Sequence, residues 1–112
     1  MKKILFFVLV LFVGIAYSQD KKVKYEPKGD LVEATYYYNN GQVEQHGFFK
    51  DEKLHGTWKY YNEEGNEVAI GNYKEGKKTG KWVFKNNGNI KEVEYLDGKI
   101  ISVNESASGT SI

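Results

Sequence analysis

The 112-residue chain has no cysteine, no arginine, a single proline and only two histidines. The lack of cysteine excludes disulfide staples, thiolate metal sites and attachment to a membrane through a lipidated cysteine. The lack of arginine removes the planar fork that reads guanine edges or clamps phosphates in two-pronged fashion, so nucleic acid is an unsuitable ligand. Pro27 lies ahead of the patterned part of the chain, which therefore contains no proline to interrupt strands. The length is that of one small domain.

Charge of one sign is also scarce, except at the start. Met1-Lys2-Lys3 is basic, Ile4 to Ala16 is an unbroken apolar run, and Ala16-Tyr17-Ser18 places small residues where signal peptidase reads them. Thirteen residues of helix rise only about 20 Å, short of the roughly 30 Å of a bilayer core, so a cleaved leader is favoured over a membrane anchor. The expectation is a signal peptide over residues 1–18, cleavage after Ser18, and a periplasmic or extracellular product. Removing Lys2 and Lys3 leaves 14 of the 16 lysines against all 15 acids, a formal charge of −1. Interleaved charges of this kind offer little attraction to acidic membrane surfaces.

What is abundant is glycine, tyrosine and tryptophan in a fixed rhythm. Gly41, Gly65 and Gly88 each close a polar turn, at spacings of 24 and 23. Gly47 and Gly71, Gly56 and Gly80, and Trp58 and Trp82 are each 24 apart. Four landmarks thus report one repeat period. Gly76 and Gly98 close the turns Glu75-Gly76 and Asp97-Gly98. Laid in register, the second unit reads Trp58, Tyr60, Tyr61, then Val68, Ile70, Gly71 and Tyr73; the third reads Trp82, Phe84, then Ile90, Val93 and Tyr95. The first unit is degenerate, with Thr35 at the tryptophan position ahead of Tyr36, Tyr37 and Tyr38; atypical terminal units are usual in repeat arrays.

Each half-unit is a short run of aromatic and β-branched residues bounded by Gly, Asn, Asp or Glu, which is hairpin chemistry. A helix is excluded between Lys59 and Lys81 by Gly65, Gly71, Gly76 and Gly80, each costing about 1 kcal/mol in a helix interior. The pattern predicts an all-β, single-layer antiparallel meander of stacked β-hairpins over 31–103. Strands are expected near 31–38, 42–49, 57–61, 67–73, 81–85, 90–96 and 99–103. Residues 19–30 read as a flexible lead-in and 104–112 as a disordered tail. Because side chains alternate along a strand, Trp58 shares a face with Tyr60, and Trp82 with Phe84. The expected packing lays each large ring across a cross-strand glycine.

The string Gly71-Asn-Tyr73-Lys-Glu-Gly76-Lys77-Lys-Thr-Gly80-Lys-Trp82-Val-Phe84 resembles the MORN repeat, in its order of Gly-x-Tyr, Gly-Lys and Gly-x-Trp. The 24-residue spacing is more similar to the longer bacterial variant of YwqK-type antitoxin proteins than to the shorter eukaryotic repeat. The resemblance spans roughly residues 31–100. It implies a single-layered array of hairpins used as a non-enzymatic interaction scaffold, with lipid binding, dimerisation, partner capture and antitoxin-like partner binding among the family's proposed roles.

Candidates for chemistry are few. His46 and His55 lack the spacing of a metal or acid–base pair, and read as a strand and a turn residue. Asp51-Glu52 and Glu63-Glu64 read as solvated turn carboxylates, with no calcium loop around them. No Gly-x-Ser-x-Gly elbow or phosphate-cradling loop is present. No cofactor or metal is expected and no catalytic residue is assigned.

The rings remain. Tyr36, Tyr37, Tyr38, Phe48, Phe49, Trp58, Tyr60, Tyr61, Tyr73, Trp82, Phe84 and Tyr95 outnumber what one face of a thin sheet hides, so some are expected at the surface. There they would meet a protein partner or, alternatively, a glycan or lipid surface. Tyr37, Trp58, Tyr60, Tyr61, Tyr73, Trp82 and Phe84 are the candidate partner-binding residues. The sheet edges, blunted only by lysines such as Lys91 and Lys99, also allow edge-to-edge pairing into a homo-oligomer.

Overall fold

The computed structural model describes residues 22–107. The expected leader at 1–18, residues 19–21 and the tail from 108 onward lie outside the described residues. Eight strands run in chain order: β1 (Lys22–Lys28), β2 (Leu31–Tyr37), β3 (Val43–Lys50), β4 (Lys53–Tyr61), β5 (Glu67–Lys74), β6 (Lys77–Asn86), β7 (Asn89–Leu96) and β8 (Lys99–Ala107). Each pairs antiparallel with the next in one open sheet ordered β1 to β8. The all-β, single-layer meander is thus the architecture of the described residues.

Both ends extend further than their sequence suggested. The supposed lead-in is strand β1 from Lys22, in register with β2 through Tyr25↔Ala34 and Val23↔Tyr36. Lys22, Lys24 and Glu26 alternate with Val23 and Tyr25, a period-two pattern hidden by its charged solvent face. The supposed tail is strand from Asn104 to Ala107, with Glu105 opposite Lys91 and Ser106 opposite Ile90. Its polarity is that of an edge strand, whose order comes from the backbone ladder with β7 and not from buried side chains.

The first unit also reads differently in space. Ala34 faces Gly47 across the β2–β3 ladder, as Trp58 faces Gly71 across β4–β5 and Trp82 faces Val93 across β6–β7. Ala34, not Thr35, therefore occupies the tryptophan position, and it is fully buried. The repeat period of 24 thereby runs unbroken through Ala34, Trp58 and Trp82. It also runs through Tyr25, Phe49 and Tyr73, and through Tyr36, Tyr60 and Phe84.

A bulge aims each tryptophan. The β3–β4 register jumps from His46↔Lys59 to Phe48↔His55, so Gly56, Thr57 and Trp58 stand opposite Gly47 alone. The β5–β6 register jumps likewise from Ile70↔Val83 to Asn72↔Thr79, setting Gly80, Lys81 and Trp82 against Gly71. Gly56 and Gly80 take the left-handed conformation at φ +76° and +72°, which a glycine adopts without a Cβ penalty. The bulge folds the indole back over the neighbouring strand. A Cβ built on Gly47 would lie inside the Trp58 ring, and one built on Gly71 inside the Trp82 ring. Ring-over-glycine packing is thus the organising contact of the sheet.

Trp58 and Trp82 are 1 % and 2 % exposed, and with Ala34, Ala69 and Val93 they form the entire buried apolar core of the described residues. Burying roughly 200 Å² of indole contributes about 5 kcal/mol before conformational entropy is set against it. Each indole Nε1–H is also satisfied, donating to the Phe48 carbonyl and the Asn72 carbonyl respectively, both at 3.0 Å. These bonds lock the rotamer that covers the glycine.

Hairpin ends differ along the two sides of the sheet. The loops after β2 and β4 are matched: Tyr38 N–H donates to Gln42 O at 2.8 Å, and Asn62 N–H to Asn66 O at 2.9 Å. Gly88 does not share that loop, because Asn87-Gly88 makes a two-residue turn with both residues at positive φ. The β3–β4 turn is unusual in placing two non-glycine residues there, Asp51 at φ 52° and Glu52 at φ 69°. The corresponding second turn position is glycine at Gly76 and Gly98. Glu52→Gly is therefore expected to raise stability by about 0.5–1 kcal/mol, the strain of a left-handed non-glycine residue set against the entropy glycine adds to the unfolded chain. A urea titration checks it; a lower midpoint at unchanged slope would contradict the turn-strain account.

Candidate functional site

Strand alternation and the ring contacts gather Tyr25, Tyr36, Phe49, Trp58, Tyr60, Tyr73, Trp82, Phe84 and Tyr95 on one face. The two indoles act as hubs. Around Trp58 lie Tyr36 at 6.4 Å, Phe49 at 5.4 Å and Tyr73 at 6.2 Å between centroids. Around Trp82 lie Tyr60 at 6.2 Å, Tyr73 at 5.1 Å, Phe84 at 6.0 Å and Tyr95 at 6.0 Å. Tyr73 touches both indoles and joins the repeats. Lys78 places its ammonium 5.0 Å from the centroids of both the Trp82 and Tyr95 rings, a cation–π bracket at the C-terminal side of the array.

Hydroxyl pairs run along this face. Tyr60 and Tyr73 hydroxyls meet at 3.2 Å, and Tyr25 donates to Tyr36 at 3.3 Å. Burial first, and then the neighbouring phenol, push the Tyr60 and Tyr25 phenols well above their ordinary pKa. Both rings stay neutral through the physiological range, so the face presents aromatic carbon and phenolic hydroxyls without charge from these residues.

The candidate contact residues separate into three groups. Trp58 and Trp82 are interior and offer no surface to a partner; they support the face from below. Tyr60, Tyr73 and Phe84 are half-buried on the ring face. Tyr37 and Tyr61 lie past β-bulges at the ends of β2 and β4 and belong by alternation to the opposite face. There Tyr61 lines a shallow hollow with Thr35, Val43, His46 and Gly65. No aromatic ring among the described residues is fully exposed, because the rings cover one another across strands. The expectation of surface-standing rings gives way to a face of ring edges.

Exposed apolar side chains occur elsewhere and are aliphatic. Leu96, Ile100, Ile101 and Val103 are the exposed large hydrophobic residues, at 59, 59, 58 and 49 %. A groove of about 790 Å³ runs along the C-terminal end of the ring face, lined by Phe84, Val93, Tyr95, Ile100, Val103 and Glu105 among others. Sequence reasoning passed over these aliphatics. The available signal was that Ile100-Ile101-Ser-Val103 comes after the last repeat tryptophan with no further indole to cover it.

The reason lies in the repeat. Val93 faces Trp82 as Gly71 faces Trp58, but it carries a side chain, and Val103, opposite Val93 in β8, stands where a further indole would. The array therefore stops with its last hairpin uncovered.

The histidines have structural surroundings. His46 Nε2 is 2.7 Å from Glu33 Oε2, and Lys28 Nζ is 3.6 Å from Glu33 Oε1. The His46 hydrogen bond, opposed by burial and supported by the Lys28 charge, holds the Glu33 carboxyl below its usual range. His46 also stands edge-on to Phe48 at 5.5 Å. No group of three or more metal-ligating side chains occurs among the described residues. Asp51, Glu52, Glu63 and Glu64 are all exposed.

No family model matches the chain, and no curated protein matches it.

Proposed function

We propose that the chain is an exported, non-enzymatic, MORN-like interaction module, whose ring face receives another protein. The observation that supports this most directly is the half-buried row of Tyr60, Tyr73 and Phe84 over buried indoles, on a sheet with no second layer across it among the described residues. Such a surface is rigid, because its rings are held by bulges and by indole hydrogen bonds, and amphipathic, because phenolic hydroxyls lie between ring edges. Aromatic side chains of this kind give large contact area at low entropic cost. Export is inferred from the basic, apolar and small-residue order of residues 1–18. An antitoxin-like role would accordingly require a target outside the cytoplasm.

The test is capture from the native envelope fraction by the immobilised processed protein. The expected result is a saturable protein partner that is lost on combining Tyr60→Ala with Phe84→Ala, with circular dichroism verifying that the double variant keeps its sheet. Retention by polysaccharide or by liposomes, with no saturable protein, would overturn the reading in favour of a glycan or lipid surface.

A further inference from the structure

The register sets three rings in one row across the ring face. Tyr36 pairs with Gln45, Gln45 with Tyr60, Tyr60 with Ala69 and Ala69 with Phe84. Rings therefore stand on every second strand, with a carboxamide in one gap and a methyl group in the other. Neighbouring strands lie about 4.8 Å apart, so the rings repeat every ~9.6 Å along the array. Polyproline II rises about 3.1 Å per residue with three residues per turn, a repeat of about 9.3 Å. Across the three rings the two periods stay within about 1 Å of each other. A helix returns the same face every two turns, about 10.8 Å, and a strand every second residue, about 6.8 Å. Both fall out of step by more than about 2 Å over the same row.

We propose that the protein received by the ring face presents a proline-rich segment in the polyproline II conformation, laid along the array across Tyr36, Tyr60 and Phe84. Such an occupant presupposes the protein-capture reading of that face and specifies its chemistry.

Charge and hydrogen bonding select the same occupant. Among the paired positions on the ring face, β1 to β7 carry no acid. Their cations are Lys78, bracketed by the Trp82 and Tyr95 rings, and Lys91, 3.9 Å from Glu105. A basic segment finds no counter-charge there, whereas an uncharged one gives up nothing. A polyproline II backbone makes no internal hydrogen bonds, so its carbonyls need donors. The phenol pairs supply them. Between Tyr60 and Tyr73 one hydroxyl hydrogen bridges the two oxygens and the other is left to donate. Tyr25 donates to Tyr36, so the Tyr36 hydroxyl keeps its own hydrogen. Burial holds the Tyr60 phenol in its protonated form. Proline rings pack over Gln45 and Ala69, between the aromatic rings. Because polyproline II is already extended and stiff, little ordering entropy is lost when it docks on a rigid row.

Fluorescence anisotropy of labelled decaproline titrated with the processed protein tests this. Saturable binding is expected, with none for a decapeptide of glycine and serine. Tyr60→Phe combined with Tyr73→Phe, which keeps both rings and removes both hydroxyls, is expected to weaken binding about fivefold. Tyr60→Ala combined with Phe84→Ala is expected to abolish it while circular dichroism shows the sheet retained. Tyr37→Ala, on the opposite face, is expected to bind as the parent does. Equal binding of the glycine and serine peptide, tighter binding of an amphipathic helical peptide, or decaproline binding that survives the alanine double variant overturns the proposal. Absence of decaproline binding, beside envelope capture that is still lost on the alanine double variant, overturns the proline-rich occupant and leaves the protein-capture reading standing. Absence of both overturns both.

Discussion

Replacing Gly71 by alanine is expected to lower the thermal midpoint by at least about 10 °C, a larger loss than one methyl group costs at most sheet positions. The added Cβ falls within the Trp82 indole, and that ring has nowhere close to move. Its edge is tied to the Asn72 carbonyl at 3.0 Å, and Tyr60, Tyr73, Phe84 and Tyr95 surround it. Overpacking a close-packed site costs roughly 1–3 kcal/mol and sometimes more. Here the upper end is expected, because the clash is with an aromatic ring and not with the end of a flexible chain. Differential scanning calorimetry reads the result. A shift within a degree of the parent would show that the indole can leave the glycine freely, and the account of the core would fail.

Trp82→Ala is expected to be more damaging, at about 3–5 kcal/mol. It removes one of two indoles in the core, leaves the Asn72 carbonyl without its donor, and takes away the ring against which four others are arranged. Trp82→Phe should lie between, since it keeps an aromatic ring and loses the hydrogen bond. Combined with Gly71→Ala, Trp82→Ala should cost clearly less than the two single losses added together, because the methyl group then occupies space the indole has vacated. Additive losses in denaturant titrations of all four proteins would mean that the two residues do not share one site.

The near-equal spacing of glycines and tryptophans made most of the meander legible before any coordinates. Gly47 and Gly71 with Trp58 and Trp82 were readable as partners because only a residue without a Cβ accepts a ring at that distance. The ends were not readable, for a physical reason. Lys22, Lys24 and Lys28 in β1, and Asn104 and Ser106 in β8, belong to strands at the sheet margins, where order derives from the backbone ladder. Local composition carries little record of that. The candidate contact residues were only partly legible. Tyr60, Tyr73 and Phe84 emerge together on one face, whereas Tyr37 and Tyr61, each next to a ring-face tyrosine, stand on the opposite face by alternation.

The period, the hairpins and the all-β class were determined by the amino-acid sequence alone, because glycine conformation and strand alternation are local properties that repeat wherever the residues repeat. Which rings became core and which became surface was decided only in the tertiary structure. That choice depends on the bulges at Gly56 and Gly80, which turn Trp58 and Trp82 across a neighbouring strand. It depends as well on the end of the array, where no third indole arrives to cover Ile100 and Val103.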